Sequence, residues 1–478
     1  MITQARAALV ALLATVLATV VAAVLVAPAA SSAPAPGGPG IGDDYFPIDG
    51  NRGIDVRRYA VHDRYRFGSG ELSGRTRLTV VATRDLSSFH LDFLLPVREV
   101  RVDGERARVS RPRRHELRIV PDEPLTDGQR FTVWVSYSGR PGRYSYAGES
   151  NWLADDHEVV AMNQPHMAPW WFPSNDHPSD KARMDISITV PRGKTVLANG
   201  SPVNRERRGR LTTHHWRADE PMATYLAMFA AGPFHVVRRQ VGDLPVRLAV
   251  SKRLSGSRYR ASLRMLRRTP ALLRELQQDL GAYPFSAAGG LVTSLPVGFA
   301  LENQTIPTYF WVGGGNWDWL VVHEQAHQWF GDSVAIERWS DIWLNEGPAT
   351  FMEVRHRELN RDLDPGAWLQ RQWERRGPRS GFWKVEIADP GASRIFAGAV
   401  YYRGGMTLQA LRNRIGDDEF WTLLRQWVSE HENGTATTAE FEQMAEDVSD
   451  EDLDGFFDAW IHSRTRPERT VENGLVVP

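Results

Sequence analysis

The chain has 478 residues, of which 42% are apolar, and its 57 basic and 58 acidic residues give a net charge of −1. This length and apolar content allow two or three folded domains, and the balanced charge gives no indication of a nucleic-acid partner. The absence of cysteine excludes disulfides, thiol nucleophiles, thiolate metal sites and a lipid-modified cysteine anchor. Any bound metal must therefore be held by His, Asp or Glu.

The first 33 residues have the composition of an export signal. An uncharged run rich in Ala, Val and Leu extends from Ala7 to Ala27, and small residues follow it. Ala27-Pro28-Ala29 and Ala30-Ser31-Ser32 are candidate cleavage sites. Because the uncharged run is long enough to span a bilayer, residues 1–33 are predicted to be a signal peptide or an N-terminal anchor. We expect the rest of the chain to be exported, extracellular or at the cell surface, with any membrane attachment only through this segment.

The next part of the chain is predicted to be rich in β-strands. Residues 34–44 contain many Ala, Pro and Gly residues and are expected to form a flexible tether. From residue 45 to 242, apolar and polar residues alternate, as in Phe131–Tyr137 and Met184–Val190, with Gly, Asp and Pro between the runs. This pattern predicts a β-rich N-terminal domain.

After residue 242 the spacing of apolar residues becomes helical. Arg258–Leu280 has apolar residues three and four apart and is interrupted at Pro270. A strand is predicted over Gly290–Thr305, and Asn316 is expected to cap a helix that ends at Gly331. The sequence therefore predicts a mainly helical second domain over residues 243–468, followed by a tail over 469–478. The fold class is α+β.

A candidate metal site lies on the helix that follows Asn316. His323-Glu324-Gln325-Ala326-His327 places two imidazoles one turn apart on one helix face, so both can bind one ion about 2 Å away. Glu324 lies next to that face, where a carboxylate can contact a metal-bound water and serve as general base. The alternative is two structural histidines and a solvated glutamate, because the five-residue pattern also occurs by chance.

A third ligand is available after His327, with eighteen residues between them. Glu346 begins a second helical pattern, in which Pro348 is tolerated because it falls in the first turn. Two histidines and one glutamate make a zinc site with an open fourth position, as in catalytic zinc centres. The sequence thus predicts one Zn²⁺ per chain, bound by His323, His327 and Glu346.

These stretches resemble a known family. Val321–Asp332, followed by Trp343-Leu344-Asn345-Glu346-Gly347, is similar to the zinc signature of the aminopeptidase N and leukotriene A4 hydrolase family of gluzincins. Phe172-Pro173 with Asp176–Ala182 resembles the family's turn in its β domain, and Tyr283-Pro284-Phe285 its entry to the active-site strand. The resemblance implies a β-rich domain packed on a thermolysin-like zinc peptidase domain. It also implies a short member, because relatives usually continue into a large C-terminal helical domain.

The resemblance further implies residues for substrate binding. Ala300-Leu301-Glu302-Asn303 resembles the family's Gly-Ala-Met-Glu-Asn strand, which binds the substrate backbone by β-augmentation, so Ala300, Glu302 and Asn303 are assigned to substrate binding. Glu302 would pair with the free α-amine, together with Gln164 from the β domain. Phe299, Leu301 and His166 depart from the family pattern, which leaves the first side-chain pocket and the amine contacts open.

One tyrosine completes the expected site. Tyr401-Tyr402-Arg403-Gly404 resembles the family's Tyr-x-Lys-Gly segment, which assigns the transition-state hydrogen-bond donor to Tyr401. Without that resemblance, adjacent tyrosines on a helix are more often part of the core.

The expected function is removal of the N-terminal residue from peptides with a free N-terminus, by zinc-activated water with Glu324 as base. Three alternatives remain at this point: a zinc-free peptide-binding module of the same fold, an endopeptidase, and an epoxide hydrolase that uses the same zinc.

Overall fold

The structure of the protein is a computed structural model that describes residues 33–476. The export segment predicted over residues 1–33 lies outside the described residues except for Ala33. Within residues 33–476, every helix is too short or too polar to cross a bilayer.

The N-terminal domain is built almost entirely of strands. Its strands are β1 Ala35–Pro36, β2 Ile54–Arg66, β3 Glu71–Ala82, β4 Leu86–Asp92, β5 Val97–Val102, β6 Glu105–Arg106, β7 Arg108–Ser110, β8 Glu116–Val120, β9 Arg130–Gly139, β10 Trp152–Ala154, β11 Val159–Ala161, β12 Ala182–Pro191, β13 Thr195–Ala198, β14 Ser201–Arg208, β15 Leu211–Met222 and β16 Phe229–Gly232. Short 3₁₀ turns lie at Pro141–Arg143, Ala168–Trp170 and Thr224–Leu226.

An eight-stranded sheet in the order β14-β15-β12-β2-β3-β9-β5-β6 forms the frame of this domain. Its strands bury every second side chain. In β9, for example, Phe131, Val133, Val135 and Tyr137 are buried, whereas the residues between them are partly exposed. Alternating burial is what the period-two pattern predicts. A smaller sheet, β1-β4-β8-β7, packs beside it, and in this sheet Asp92 at the end of β4 lies directly opposite Glu116 at the start of β8.

The second domain begins with a four-stranded sheet and continues with helices. The sheet strands are β17 Phe234–Val241, β18 Leu244–Ser251, β19 Ala288–Val292 and β20 Thr308–Tyr309, and a small pair is formed by β21 Ala335–Ile336 and β22 Thr435–Ala436. The helices are α1 Gly256–Leu266, α2 Thr269–Leu280, α3 Asp318–Ala326, α4 Trp343–Leu359, α5 Pro365–Arg375, α6 Gly398–Ile415, α7 Asp417–Glu430, α8 Thr438–Ser449 and α9 Asp454–Phe457. Short turns lie at Trp339–Asp341, Gly381–Lys384 and Ala392–Arg394, and a π-helical turn at Asp458–His462.

The predicted α+β fold is confirmed, but three predicted boundaries differ from the structure. Strand β17 pairs with β18 and so belongs to the second domain, which places the domain boundary before Phe234 rather than at residue 242. The strand predicted over Gly290–Thr305 ends at Val292, because Pro296 and Gly298 interrupt it. Helix α3 ends at Ala326 instead of Gly331, since the chain turns after His327.

The prediction of a flexible tether also differs from the structure, because these residues contact both domains. Residues 34–53, here called the N-terminal arm, run along the edge of β4 through β1 and then cross to the second domain. Asp43 is buried and its Oδ2 accepts a hydrogen bond from the backbone N–H of Trp339 at 2.8 Å. The ring of Phe46 packs edge-on against Trp339 and against His166. The arm therefore joins the two domains.

The predicted tail also packs. Leu475 is buried, Trp460 Nε1 donates to the carbonyl of Asn473 at 3.1 Å, and Asn413 Nδ2 donates to the carbonyl of Gly474 at 2.9 Å. The described part of segment 469–478 is therefore part of the helical domain.

Candidate active site

Helices α3 and α4 bring the three predicted metal ligands together. His323 lies on α3, His327 directly follows it, and Glu346 lies in the first turn of α4. The Nε2 atoms of both histidines are 3.4 Å from Glu346 Oε2. All three side chains are buried, so the ligand atoms converge on one point that is largely shielded from water.

Each histidine is oriented by a contact with its other ring nitrogen. His323 Nδ1 lies 2.8 Å from Glu353 Oε1 on α4, and His327 Nδ1 lies 3.1 Å from the carbonyl of Phe330. Both partners are acceptors, which fixes the proton on Nδ1 and leaves the Nε2 lone pair facing Glu346. This is the outer arrangement that metal-binding histidines require.

The residues fit a divalent metal ion. Glu346 Oε2 is buried and has no hydrogen-bond partner among the described residues. Burial raises the pKa of Glu346, but His327 and His323 outweigh burial and lower it to about 2. An anionic oxygen without a partner, facing two imidazole nitrogens, is a donor set that matches zinc in a His₂Glu site.

Glu324 lines the same cavity, which has a volume of about 480 Å³. Burial raises the pKa of Glu324 to about 8, against the lowering effect of His323 and His327. A carboxylate with this proton affinity can both accept and release a proton near neutral pH, as a general base that later acts as an acid must do.

Glu302 and Gln164 meet across the domain boundary. Gln164 Nε2 donates to Glu302 Oε1 at 3.0 Å, and the hydroxyl of Tyr225 donates to the same oxygen at 3.4 Å. Among the described residues both hydrogen bonds to this carboxylate go to Oε1, so Oε2 keeps its acceptor capacity. Burial, followed by the charge of Glu346, raises the pKa of Glu302, although His327 acts in the opposite direction. A cation in the cavity would favour the charged carboxylate.

The two tyrosines on α6 have different surroundings. The ring of Tyr401 stacks on that of His323 with a centroid distance of 6.0 Å. Burial and the nearby Glu346 raise the pKa of Tyr401 well above its usual value, so its hydroxyl keeps its proton. Tyr402 is 45% exposed and packs against the Arg376 guanidinium. Of the two tyrosines, Tyr401 is therefore the one that lies beside the metal ligands.

The remaining residues predicted to contact substrate differ in whether they line the cavity. Ala300 lines the cavity. Asn303 does not, because its Nδ2 donates to the carbonyl of Leu226 and its Oδ1 accepts from Thr308 at 2.9 Å. Asn303 thus holds the strand segment in place through its side chain, and its contact with substrate stays a prediction. His166, which departs from the family pattern, pairs with Asp49 of the arm and lies away from the cavity lining.

Several residues that line the cavity were not predicted to bind substrate or to orient the metal ligands. Phe299, Trp319, Phe396 and Tyr402 are between 38% and 45% exposed and form an aromatic rim around the cavity. Exposed aromatic clusters of this kind are typical of binding sites. Glu353, which orients His323, is seven residues after Glu346 and therefore lies on the same face of α4, a spacing that points to it in retrospect.

Two sequence profiles match the chain. The Peptidase family M1 domain matches residues 316–460, which include the metal ligands, and the Peptidase M1 N-terminal domain matches residues 75–226. The chain belongs to the peptidase M1 family. Its N-terminal domain and helical domain correspond to the two matched domains of that family.

Relatives of this M1 chain are proteins named as aminopeptidases. Aminopeptidase N of Lactococcus lactis subsp. lactis is 25% identical over 379 residues, which cover 72% of this chain and 44% of the relative. Aminopeptidase M1-C of Oryza sativa subsp. japonica is 27% identical over 354 residues, which cover 69% of this chain and 39% of the relative. The chain thus spans about two fifths of the length of these curated relatives.

Solved M1 structures match over nearly their full length. The M1 zinc metallopeptidase of Deinococcus radiodurans has 27% identity and a TM-score of 0.80, and the alignment covers 90% of this chain and 98% of that one. A substitution variant of it, bound to a Tyr-Ser-Ala substrate, has a TM-score of 0.79 with coverage of 90% and 99%. These neighbours are named zinc metallopeptidases, and the group formed by His323, His327 and Glu346 in this chain could hold a metal ion.

Proposed function

We propose that the chain is a zinc-dependent aminopeptidase that removes the N-terminal residue of peptides. The observation that carries this proposal is Glu302, a buried carboxylate held beside the metal ligands by Gln164 and Tyr225. Its unused oxygen offers a partner for the ammonium group of a free N-terminus. An internal peptide segment brings no cation, so it would leave this buried carboxylate unpaired, at a substantial free-energy cost.

His323, His327 and Glu346 would hold the zinc ion. When bound, zinc supplies the Lewis acidity that polarises a peptide carbonyl and makes water nucleophilic near neutral pH. Glu324 takes the proton from the attacking water and passes it to the nitrogen of the leaving peptide. The hydroxyl of Tyr401 donates a hydrogen bond to the oxyanion that develops on the attacked carbonyl.

The aromatic rim supports a peptide substrate. Phe299, Trp319 and Phe396 line the cavity and are partly exposed, so they offer apolar surface to the side chains of a bound peptide. The relative of known structure that binds Tyr-Ser-Ala is consistent with a short peptide in such a cavity.

The experiment compares free and blocked substrates on Glu302 variants. We expect the wild-type protein to cleave alanyl- or leucyl-anilides with a free amine, to lose this activity with a chelator, and to regain it with zinc. Glu302→Gln should lower kcat/KM for the free-amine substrate by about 10²-fold, since a charge-assisted contact is lost. It should change cleavage of the N-acetylated analogue far less. Equal losses on both substrates would contradict amine recognition, and efficient cleavage of internal bonds would favour an endopeptidase.

We also propose that the protein is exported, on the composition of residues 1–33. Fractionation of cells producing the full chain, followed by mass spectrometry of the mature N-terminus, separates the outcomes. A cleaved N-terminus identifies a signal peptide, an intact one in the membrane fraction identifies an anchor, and an intact chain in the cytoplasm refutes export.

A further inference from the structure

A second group of buried side chains of the types that bind metals lies in the N-terminal domain, away from the active-site cavity. Asp92, His115 and Glu116 are each at most 2% exposed. One ligand atom from each lies within 4.8 Å of the other two. The proposed peptidase chemistry uses none of these residues.

Strand pairing forces the two acids together. Asp92 on β4 and Glu116 on β8 are direct partners in the antiparallel ladder. Like charges placed directly opposite each other destabilise a sheet, and burying both carboxylates without a compensating cation costs much more than exposing them. The fold therefore needs something between these two side chains that offsets their charge.

One oxygen of each carboxylate is in hydrogen-bonding contact with neighbouring groups of the protein. Asp92 Oδ2 accepts hydrogen bonds from Asn51 Nδ2 and from the backbone N–H of Asp176, both at 2.9 Å. Glu116 Oε2 lies 2.9 Å from His90 Nδ1. These contacts fix the rotation of both carboxylates, as the outer contacts of metal ligands do.

The other oxygen of each carboxylate has no hydrogen bond. Asp92 Oδ1 and Glu116 Oε1 are buried and without a partner among the described residues. They lie 3.8 Å and 3.3 Å, respectively, from His115 Nε2. Within residues 33–476, that nitrogen has two long contacts outside the group, at 3.3 Å each, with the carbonyl of Ile48 and the hydroxyl of Tyr146.

The active site of the same chain provides a scale for these distances. There, the two histidine nitrogens lie 3.4 Å from Glu346 Oε2. Donors that bind one zinc ion at about 2 Å in a tetrahedral arrangement are themselves about 3.3 Å apart. The distance from Glu116 Oε1 to His115 Nε2 equals this value, and the distance from Asp92 Oδ1 is 3.8 Å, so a small movement of Asp92 would bring all three atoms around one ion.

We propose that Asp92 Oδ1, His115 Nε2 and Glu116 Oε1 bind a second divalent cation, with a structural role. One imidazole and two carboxylates suit zinc or manganese, whereas calcium prefers an all-oxygen shell. The ion would offset the charge of the cross-strand acid pair. Through Asp92 it would also brace Asn51 of the arm and the turn at Asp176.

Metal content of a protein without the active-site zinc tests this proposal. In the full chain carrying His323→Ala and His327→Ala, we expect about one equivalent of zinc to remain after dialysis. Adding Asp92→Asn and Glu116→Gln should reduce it to near zero. A matched control in the same background, Asp122→Asn with Glu123→Gln, changes two exposed acids and should retain the equivalent.

Thermal unfolding supplies a second measurement. Micromolar zinc should raise the Tm of the chelator-treated His323→Ala/His327→Ala protein, and Asp92→Asn should abolish that rise. If the fourfold variant fails to fold, the single Asp92→Asn substitution in that background gives the same comparison. Absence of zinc from the double variant together with a Tm indifferent to zinc and manganese would overturn the proposal, and would indicate that the two oxygens share a proton. Zinc retained after loss of both acids would also overturn it.

Discussion

At the scale of single residues, Glu324 is the cavity acid that we propose as the general base. It is adjacent to His323 in sequence but is not one of the three converging ligands. Glu324→Gln keeps the size of the side chain and removes its ability to take a proton. We expect the zinc content to remain at the wild-type level, and kcat on aminoacyl-anilides to fall by about 10³-fold or more. Wild-type turnover in this variant would refute the assignment of the base.

Glu353→Gln is the informative control for that variant. Glu353 contacts His323 Nδ1 and does not converge on the metal position. Its replacement should weaken zinc binding by about 10- to 100-fold, so activity should return when zinc is added in excess. Added zinc should not rescue Glu324→Gln.

The neighbouring tyrosines provide a matched pair of substitutions. Tyr401→Phe removes the hydroxyl beside the metal ligands and should lower kcat by about 10²-fold to 10³-fold with little change in KM, because its hydrogen bond forms in the transition state. Tyr402→Phe should leave kcat within about twofold, since this ring packs at the rim against Arg376. Steady-state kinetics of both variants on one substrate measure the difference. Equal effects would show that the phenol of Tyr401 has no special part.

At the scale of secondary-structure elements, helices α4 and α6 approach each other through two glycines. A Cβ added at Gly404 would lie 2.7 Å from the Cα of Gly347, which is backbone and cannot rotate away. This close packing sets the position of Glu346 on α4 relative to Tyr401 on α6. The position of Glu346 relative to Tyr401 therefore depends on the absence of a side chain at both Gly347 and Gly404.

Gly404→Ala tests that dependence. We expect it to lower the free energy of unfolding by about 1–3 kcal/mol, because overpacking outweighs the better helix propensity of alanine. It should also reduce kcat, since α6 must move away from α4. Gly455→Ala is the control, because a Cβ there meets no atom within 4 Å. Urea denaturation and kinetics on both proteins give the comparison, and unchanged stability in Gly404→Ala would contradict the close approach.

The sequence predicts local elements better than it predicts the contacts between them. Alternation over Phe131–Tyr137 predicts a strand because half its side chains are buried, and His323 and His327 are found through helix periodicity alone. The strand predicted over Gly290–Thr305 is mostly loop, since its apolar residues are buried by tertiary packing rather than by a ladder. The pairing of Gln164 with Glu302 joins residues 138 apart, and no local pattern contains it.

The cluster at Asp92, His115 and Glu116 illustrates the same limit. Asp92 and Glu116 do not belong to a common sequence motif. The register of β4 against β8 places them directly opposite each other. The first part of the arm, residues 34–44, is predicted to be a tether because its composition is that of a linker. Composition does not show that Asp43 accepts a hydrogen bond from a backbone N–H of the other domain.

At the scale of the whole molecule, the contact between His166 and the arm makes the stability of the protein depend on pH. His166 Nε2 lies 2.5 Å from Asp49 Oδ2 of the arm. Burial lowers the pKa of His166, but its contacts with Asp49 and Glu149 outweigh burial and raise it to about 10. The ordinary value in an unfolded chain is about 6.5. Its contribution to stability is therefore complete below about pH 6.5 and is lost as the pH rises toward 10.

We expect the free energy of unfolding to fall between pH 6.5 and 10 by at most about 5 kcal/mol from this residue, because each pKa unit corresponds to about 1.4 kcal/mol. His166→Gln should flatten the dependence over this window, whereas His157→Gln, at an exposed position, should keep it. Denaturant titrations at several pH values measure the slopes. Identical slopes in wild type and His166→Gln would show that this histidine is not charged in the folded protein.

The arm also bears on how the N-terminus is processed. Both candidate cleavage sites, Ala27-Pro28-Ala29 and Ala30-Ser31-Ser32, come before the first residues that pair with β4. Cleavage at either position would leave the arm whole, whereas trimming only a dozen residues further would remove Asp43 and its bond to the second domain. Loss of the arm would remove two contacts that join the domains, the hydrogen bond from the backbone N–H of Trp339 to Asp43 and the packing of Phe46 against Trp339.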